Sequence, residues 1–188
     1  MELREQRFGI EIEMTGITRA GAAKVAATYF GTRSEYVGTY YQTYAAVDQE
    51  GRQWKFMSDG SIRAEKKVNG EKRAAGAVYR TEMVSPICRY EDIEKIQELI
   101  RELKKKGAIV NESCGIHVHI DASPFDAGKL RNLTNIMAAK EDLIYKALGV
   151  SVERQHRWCR PVEERFLEEL NRRRPTSMEA VEEIWYNG

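Results

Sequence analysis

Apolar and polar residues alternate without a break from Phe8 to Met14. Phe8, Ile10, Ile12 and Met14 fall on one face of an extended chain, and Glu11 and Glu13 on the other. The pattern predicts a strand with its apolar face buried. A second alternating stretch runs from Gly115 to Asp121, with Ile116, Val118 and Ile120 on one side and His117, His119 and Asp121 on the other. Val78 to Val84 predicts a further strand, which carries Glu82 and, two residues earlier on the same face, Arg80.

Helical spacing predicts the elements between them. Thr18 caps a helix to about Phe30, with Gly31 as its stop. Glu91 to Lys106 shows a continuous stripe of Ile93, Ile96, Leu99, Ile100 and Leu103. Ser123-Pro-Phe-Asp126 reads as a helix start, with serine at the cap, and the helix runs to about Leu148, burying Leu130, Leu133, Met137, Ile144 and Leu148. Helices from Val162 to Arg173 and, behind a Thr176-x-x-Glu179 capping box, from Met178 to about Tyr186 follow. Tyr36 to Val47 reads as one strand, paired through the Asp48–Gly51 turn with Gln53 to Met57. Lys66 to Ala75, polar and basic, reads as a mobile loop.

Composition narrows the class. The chain has 188 residues, with 30 basic and 29 acidic residues and a net charge of +1. That balance gives no general electrostatic footprint for nucleic acid. No apolar run approaches the roughly 20 residues that span a membrane, and the charged start lacks a signal peptide's apolar core. Cys88, Cys114 and Cys159 are odd in number and form no CxxC. Free thiols and a cytoplasmic location are the expectation.

Candidate chemistry lies on the polar faces of the three strands. Glu11 and Glu13 stand about 6–7 Å apart along the chain, by the rise of a strand. Like charges that close repel unless water screens them or a cation sits between them. The same pattern also fits an edge strand with two solvated glutamates. Two of the three histidines stand in the pair His117 and His119. If the strands share a sheet, Glu11, Glu13, Glu82 and His117 converge as a divalent-metal site. Carboxylates with one imidazole favour Mg²⁺ or Mn²⁺, whereas several histidines would favour zinc. Tyr40, Tyr41 and Tyr44 either line a ligand groove or pack as ordinary strand residues.

Four segments, in order, carry a resemblance: Phe8 to Met14, Trp54 with Ser58 to Ile62, Thr81 to Pro86, and Cys114 to Asp121. Together they resemble the amidoligase family, which is similar to glutamine synthetase and glutamate–cysteine ligase. The resemblance covers about residues 7 to 165. It implies an α+β fold, a curved, mostly antiparallel sheet with helices on its convex face, in one domain. It implies ATP and Mg²⁺ as cofactors, and an amide bond made from a carboxylate and an amine through an acyl phosphate. Glu11, Glu13, Glu82 and His117 match the family's metal ligands, and His119 a residue near the nucleotide phosphates. Asp59 and Ser61 match an Asp-Gly-Ser element that touches substrate or metal. Arg80, Arg157 and Arg160 are candidate phosphate contacts, or solvated charges.

The family pattern continues into a last strand with a glutamate and an arginine, which this sequence does not show. The expectation is therefore a domain without that strand, completed by a partner chain or by self-association. Two other readings follow: a non-catalytic ligase-like binding module, and a metal-dependent hydrolase built on His117 and His119. Substrates on the ligase reading are small-molecule or peptide carboxylates and amines.

Overall fold

The computed structural model describes residues 2–187. The chain divides into two compact units, one up to Asp121 and one from Ala122. The first holds a six-stranded antiparallel sheet, the second is helical, and the class is α+β.

In the first unit, β1 (Phe8–Met14) leads to α1 (Arg19–Phe30). There follow β2 (Ser34–Gly38), β3 (Thr43–Val47), β4 (Gln53–Met57), β5 (Glu65–Val68), β6 (Glu71–Ala74) and β7 (Thr81–Val84). Then come α2 (Asp92–Lys105) and β8 (Ile116–Ile120). The sheet order is β2-β3-β4-β7-β1-β8, with β5 and β6 a separate hairpin. α1 is capped where the sequence predicts: Thr18 accepts from the Gly21 N–H, and Gly31 ends the helix at φ 69°.

The core lies between one face of this sheet and α1 with α2. Met14, Trp54, Phe56 and Met83 from the strands meet Ala22, Ala23, Ala26 and Phe30 of α1 and Leu99 and Leu103 of α2. Trp54 and Phe56 are fully buried, each stabilising the fold by about 2–3 kcal/mol. The small alanines of α1 let it approach the sheet closely. Gly16 joins β1 to α1 at φ 81°, where a Cβ would collide with the Gly107 carbonyl oxygen. A polar clamp ties the β3–β4 turn to the start of α2. Arg52 donates to both oxygens of Asp92, at 2.7 and 2.8 Å, and through Nε to Asp48 at 2.9 Å. Asp48 also accepts from the Trp54 indole at 3.1 Å.

Several expectations need correction. Tyr36 to Val47 is two strands, because Thr39 and Gln42 turn the chain at φ 75° and 50°. Within it Tyr44 packs on the core, while Tyr40 sits on the turn at 93% exposure. Lys66 to Ala75 is ordered as the β5–β6 hairpin: Asn69 and Gly70, at φ 53° and 87°, form its two-residue turn. The strand with Glu82 starts at Thr81, after a 3-10 turn over Ala77–Tyr79.

The second unit contains α3 (Ala127–Leu148), α4 (Val152–Arg157), α5 (Glu164–Arg173) and α6 (Met178–Asn187). Asp126, not Ser123, caps α3 by accepting from the Lys129 N–H, and Ser177 rather than Thr176 accepts from the Ala180 N–H. Ala127, Leu170, Val181 and Ile184 form its core, with Leu130 and Phe166 packed on them. Helical spacing predicts Leu133, Met137 and Leu148 as buried, and the structure has them exposed. No helix among the described residues is long and apolar enough to cross a membrane.

Arg52→Ala should cost about 2–3 kcal/mol in urea unfolding at neutral pH, because it leaves Asp48 and Asp92 with Lys95 as their shared counter-charge. The clamp also sets acid sensitivity. Hydrogen bonds from Arg52 hold the Asp92 carboxyl well below its usual range. Burial pushes Asp48 up, but bonds from Trp54 and from the backbone and side chain of Arg52 outweigh it and leave that carboxyl low as well. Their stabilisation is present above about pH 4 and is lost as pH falls through the folded-state values. Asp92→Asn should therefore flatten the loss of stability below about pH 4, measured as urea midpoint against pH.

Candidate metal centre

β1 is flanked by β7 and β8, and the two registers decide what meets on the face turned away from α1 and α2. Glu13 lies directly opposite Glu82 on β7. Glu11 lies directly opposite His117 on β8, and Gly9 opposite His119. Each pair is an immediate cross-strand neighbour, so side chains of alternate residues on three strands gather in one patch. The loop after β4 adds Asp59.

Two triads result. One atom each of Glu11, Glu82 and His117 lie within 4.8 Å of one another, and so do one each of Glu13, Asp59 and Glu82. Glu82 belongs to both. Glu13 and Glu82 are 5% and 8% exposed, so these charges are held largely away from water.

The surroundings orient the donors. The Gly115 N–H donates to Glu13 Oε2 at 2.6 Å, and the Ser61 hydroxyl stands 3.5 Å from its other oxygen. The Ser61 N–H in turn donates to Asp59, which closes the Asp-Gly-Ser turn. His117 Nδ1 is 3.0 Å and His119 Nε2 is 3.3 Å from the same oxygen of Glu11. Burial raises the Glu11 carboxyl, but hydrogen bonds from the two imidazoles outweigh it and hold the group low. Burial first, and then the negative charges of Glu11, Asp59 and Glu13, push Glu82 up to about 7. The charge of His117 gives the smallest of the influences on it and does not offset the rest.

The donor set fits hard divalent cations. Each triad offers carboxylate oxygens, with a single imidazole nitrogen in one of them, which is the chemistry of Mg²⁺ or Mn²⁺ more than of zinc. A cation would also relieve the repulsion that raises Glu82.

The structure thus brings together Glu11, Glu13, Glu82 and His117, and sets His119 on Glu11 outside both triads. Asp59 joins a triad and Ser61 touches Glu13. Arg80 immediately precedes β7, and its Nε is buried without a partner among the described residues. Arg157 and Arg160 belong to the second unit, where Arg157 stacks over Trp158 at 4.9 Å and Arg160 is exposed. Sequence reasoning missed one contributor, the Gly115 amide, and one basic residue on the same sheet face, Lys55. The Gly115 amide leaves no side-chain signature. Lys55 shares a row with the cluster, in the order His117, Glu11, Val84, Lys55, and its place between buried Trp54 and Phe56 is the signal that would have found it.

This is an α+β protein with an acidic, histidine-containing cluster on one face of an antiparallel sheet. The chain belongs to the amidoligase family: residues 4–188 match the family model described as "Putative amidoligase enzyme", a ligase-type family. No curated protein and no solved structure matches the chain.

Glu82→Gln should stabilise the metal-free protein while removing its response to Mg²⁺. The gain should be near zero below about pH 4.5, grow as pH rises toward 7, and level off above that. Its plateau is on the order of 1–2 kcal/mol, or roughly 3–8 °C in Tm. Thermal melts with and without Mg²⁺ across that pH range measure both effects.

Proposed function

We propose that the protein is an ATP- and Mg²⁺-dependent carboxylate–amine ligase, forming an amide bond through an acyl-phosphate intermediate. The observation that carries this reading is the pair of triads sharing Glu82, in a chain that belongs to the amidoligase family. Small-molecule or peptide acids and amines are its substrate classes.

The chemistry asks for such a site. A carboxylate is a poor electrophile, because its charge repels nucleophiles and oxide is a poor leaving group. Phosphorylation removes both obstacles, and the protein's part is then to position reactants and balance charge. Glu11, Glu82 and His117 would hold one divalent ion, and Glu13, Asp59 and Glu82 a second. Such ions, when bound, supply charge neutralisation and alignment for phosphate oxygens. The chain's own groups hold that geometry. The Gly115 N–H fixes the orientation of Glu13, and His117 and His119 fix that of Glu11. Lys55 and Arg80 are the cations in this unit that the reading assigns to phosphate contact.

The hydrolase reading has less support. A zinc site would use the two imidazoles together, yet both turn to a single oxygen of Glu11 and only His117 joins a triad among the described residues.

Calorimetric titration with a non-hydrolysable ATP analogue should show binding that requires Mg²⁺ and is lost in Glu11→Gln. Lys55→Ala should weaken it about tenfold, as loss of one charge-assisted contact does. ADP release on screening acids and amines would then identify the substrates. Absence of nucleotide binding with or without Mg²⁺ rejects the ligase reading in favour of the non-catalytic module.

A further inference from the structure

We infer that a cavity at the N-terminus of α1 is a second binding site, for a small carboxylate carried on an apolar or aromatic body, with Arg19 as its charge partner. The cavity has a volume of about 460 Å³ and is lined by Arg19, Gln42, Tyr36, Tyr44, Val78 and the start of α1. Tyr44 lies in the cross-sheet row of Phe56, Met83 and Ile12, which faces the helices. Glu11, Glu13 and Glu82 alternate with that row, so the cavity and the carboxylate cluster open on opposite faces of the sheet.

Arg19 is the anomaly that points to a ligand. It is only 4% exposed, yet it makes no ion pair among the described residues. Its Nη1 donates to the carbonyls of Ala77 and Arg80 at 2.9 and 3.0 Å, and Nη2 to the Gln42 side chain at 2.5 Å. Those acceptors carry partial charges and use three of the five guanidinium hydrogens. Nε is buried with no partner among the described residues, and Nη2 keeps one hydrogen. Two spare donors on a buried, unneutralised guanidinium suit the fork of a carboxylate. Taking a cation out of water is costly without a counter-charge. Desolvation accordingly lowers the Arg19 pKa.

The surroundings add to the attraction and define the rest of the ligand. α1 is a 12-residue helix whose N-terminus, the positive end of its dipole, lines the same cavity. Tyr36 and Tyr44 stand with ring centroids 4.9 Å apart, and Val78 and Ala20 complete an apolar wall. Such a wall favours a ring or alkyl body over a bare inorganic ion. The inference does not depend on the ligase reading.

Sodium benzoate is the probe, titrated into the full chain and followed by thermal shift and calorimetry against sodium chloride at equal ionic strength. A saturable response to benzoate beyond that of chloride is expected, and Arg19→Lys should weaken it at least tenfold. Because Arg19 also braces the loop before β7, a variant that fails to fold would leave no reading, so Val78→Glu is the second arm. That change brings a carboxylate into the cavity from an exposed position. It should raise Tm without ligand and abolish the benzoate response. Glu11→Gln should leave the response intact. An unchanged response in Val78→Glu, its loss in Glu11→Gln, no response beyond chloride, or a saturable response to inorganic phosphate in place of benzoate would each overturn the assignment.

Discussion

The register of β1 is the constraint on which the first unit depends. The strand is hydrogen-bonded on both sides, and its alternation assigns Ile10, Ile12 and Met14 to the core and Glu11 and Glu13 to the opposite face. A slip of one residue against either neighbour would exchange the two sets at once. The register is held at both ends of the strand. Ser85 bonds both the Ile10 N–H and the Ile10 carbonyl, and Thr15 pairs with Ile109 just beyond Met14. Gly16 then turns the chain away at the one conformation and clearance that the packing leaves open. Core packing and cluster geometry are thus two results of a single alignment.

The sheet carries electrostatic tension on both faces. On one, Glu11, Glu13, Asp59 and Glu82 crowd together with two histidines and an amide as partial relief. On the other, Arg19 is braced by carbonyls that do not cancel its charge. The apolar core between them and the fully paired Arg52 clamp supply the stability that lets such groups stay in place. Among the described residues three buried polar atoms find no partner, on Arg19, Glu65 and Arg80, and only Arg19 lines a cavity described above.

Much of this was legible in the sequence where periodicity and chemistry coincide. The strands of Glu11 and His117 alternate cleanly, so their polar faces could be named residue by residue, and family resemblance placed Glu82, Asp59 and Ser61 beside them. The errors have physical causes. Tyr36 to Val47 is rich enough in strand formers to hide a turn made by Thr39 and Gln42, neither of them glycine. The basic composition of Lys66 to Ala75 masked Asn69-Gly70, the strongest local hairpin signal in the segment. Arg19 carries no linear signature, because its meaning lies in what the folded chain fails to place beside it. The apolar residues of α3 follow helical spacing, but spacing says nothing of which neighbours a helix finds.

One consequence of Glu82 belonging to both triads concerns independence. A carboxylate shared between two positions cannot give its whole charge to each, and its orientation for one restricts the other. Occupants of such a site are thermodynamically linked: whichever arrives first alters the affinity left for the second, and each senses the other's departure by the same factor. If both triads hold ions, the centre would act as one two-seat device with a single hinge, its filling a concerted property of the face and not the sum of two separate sites.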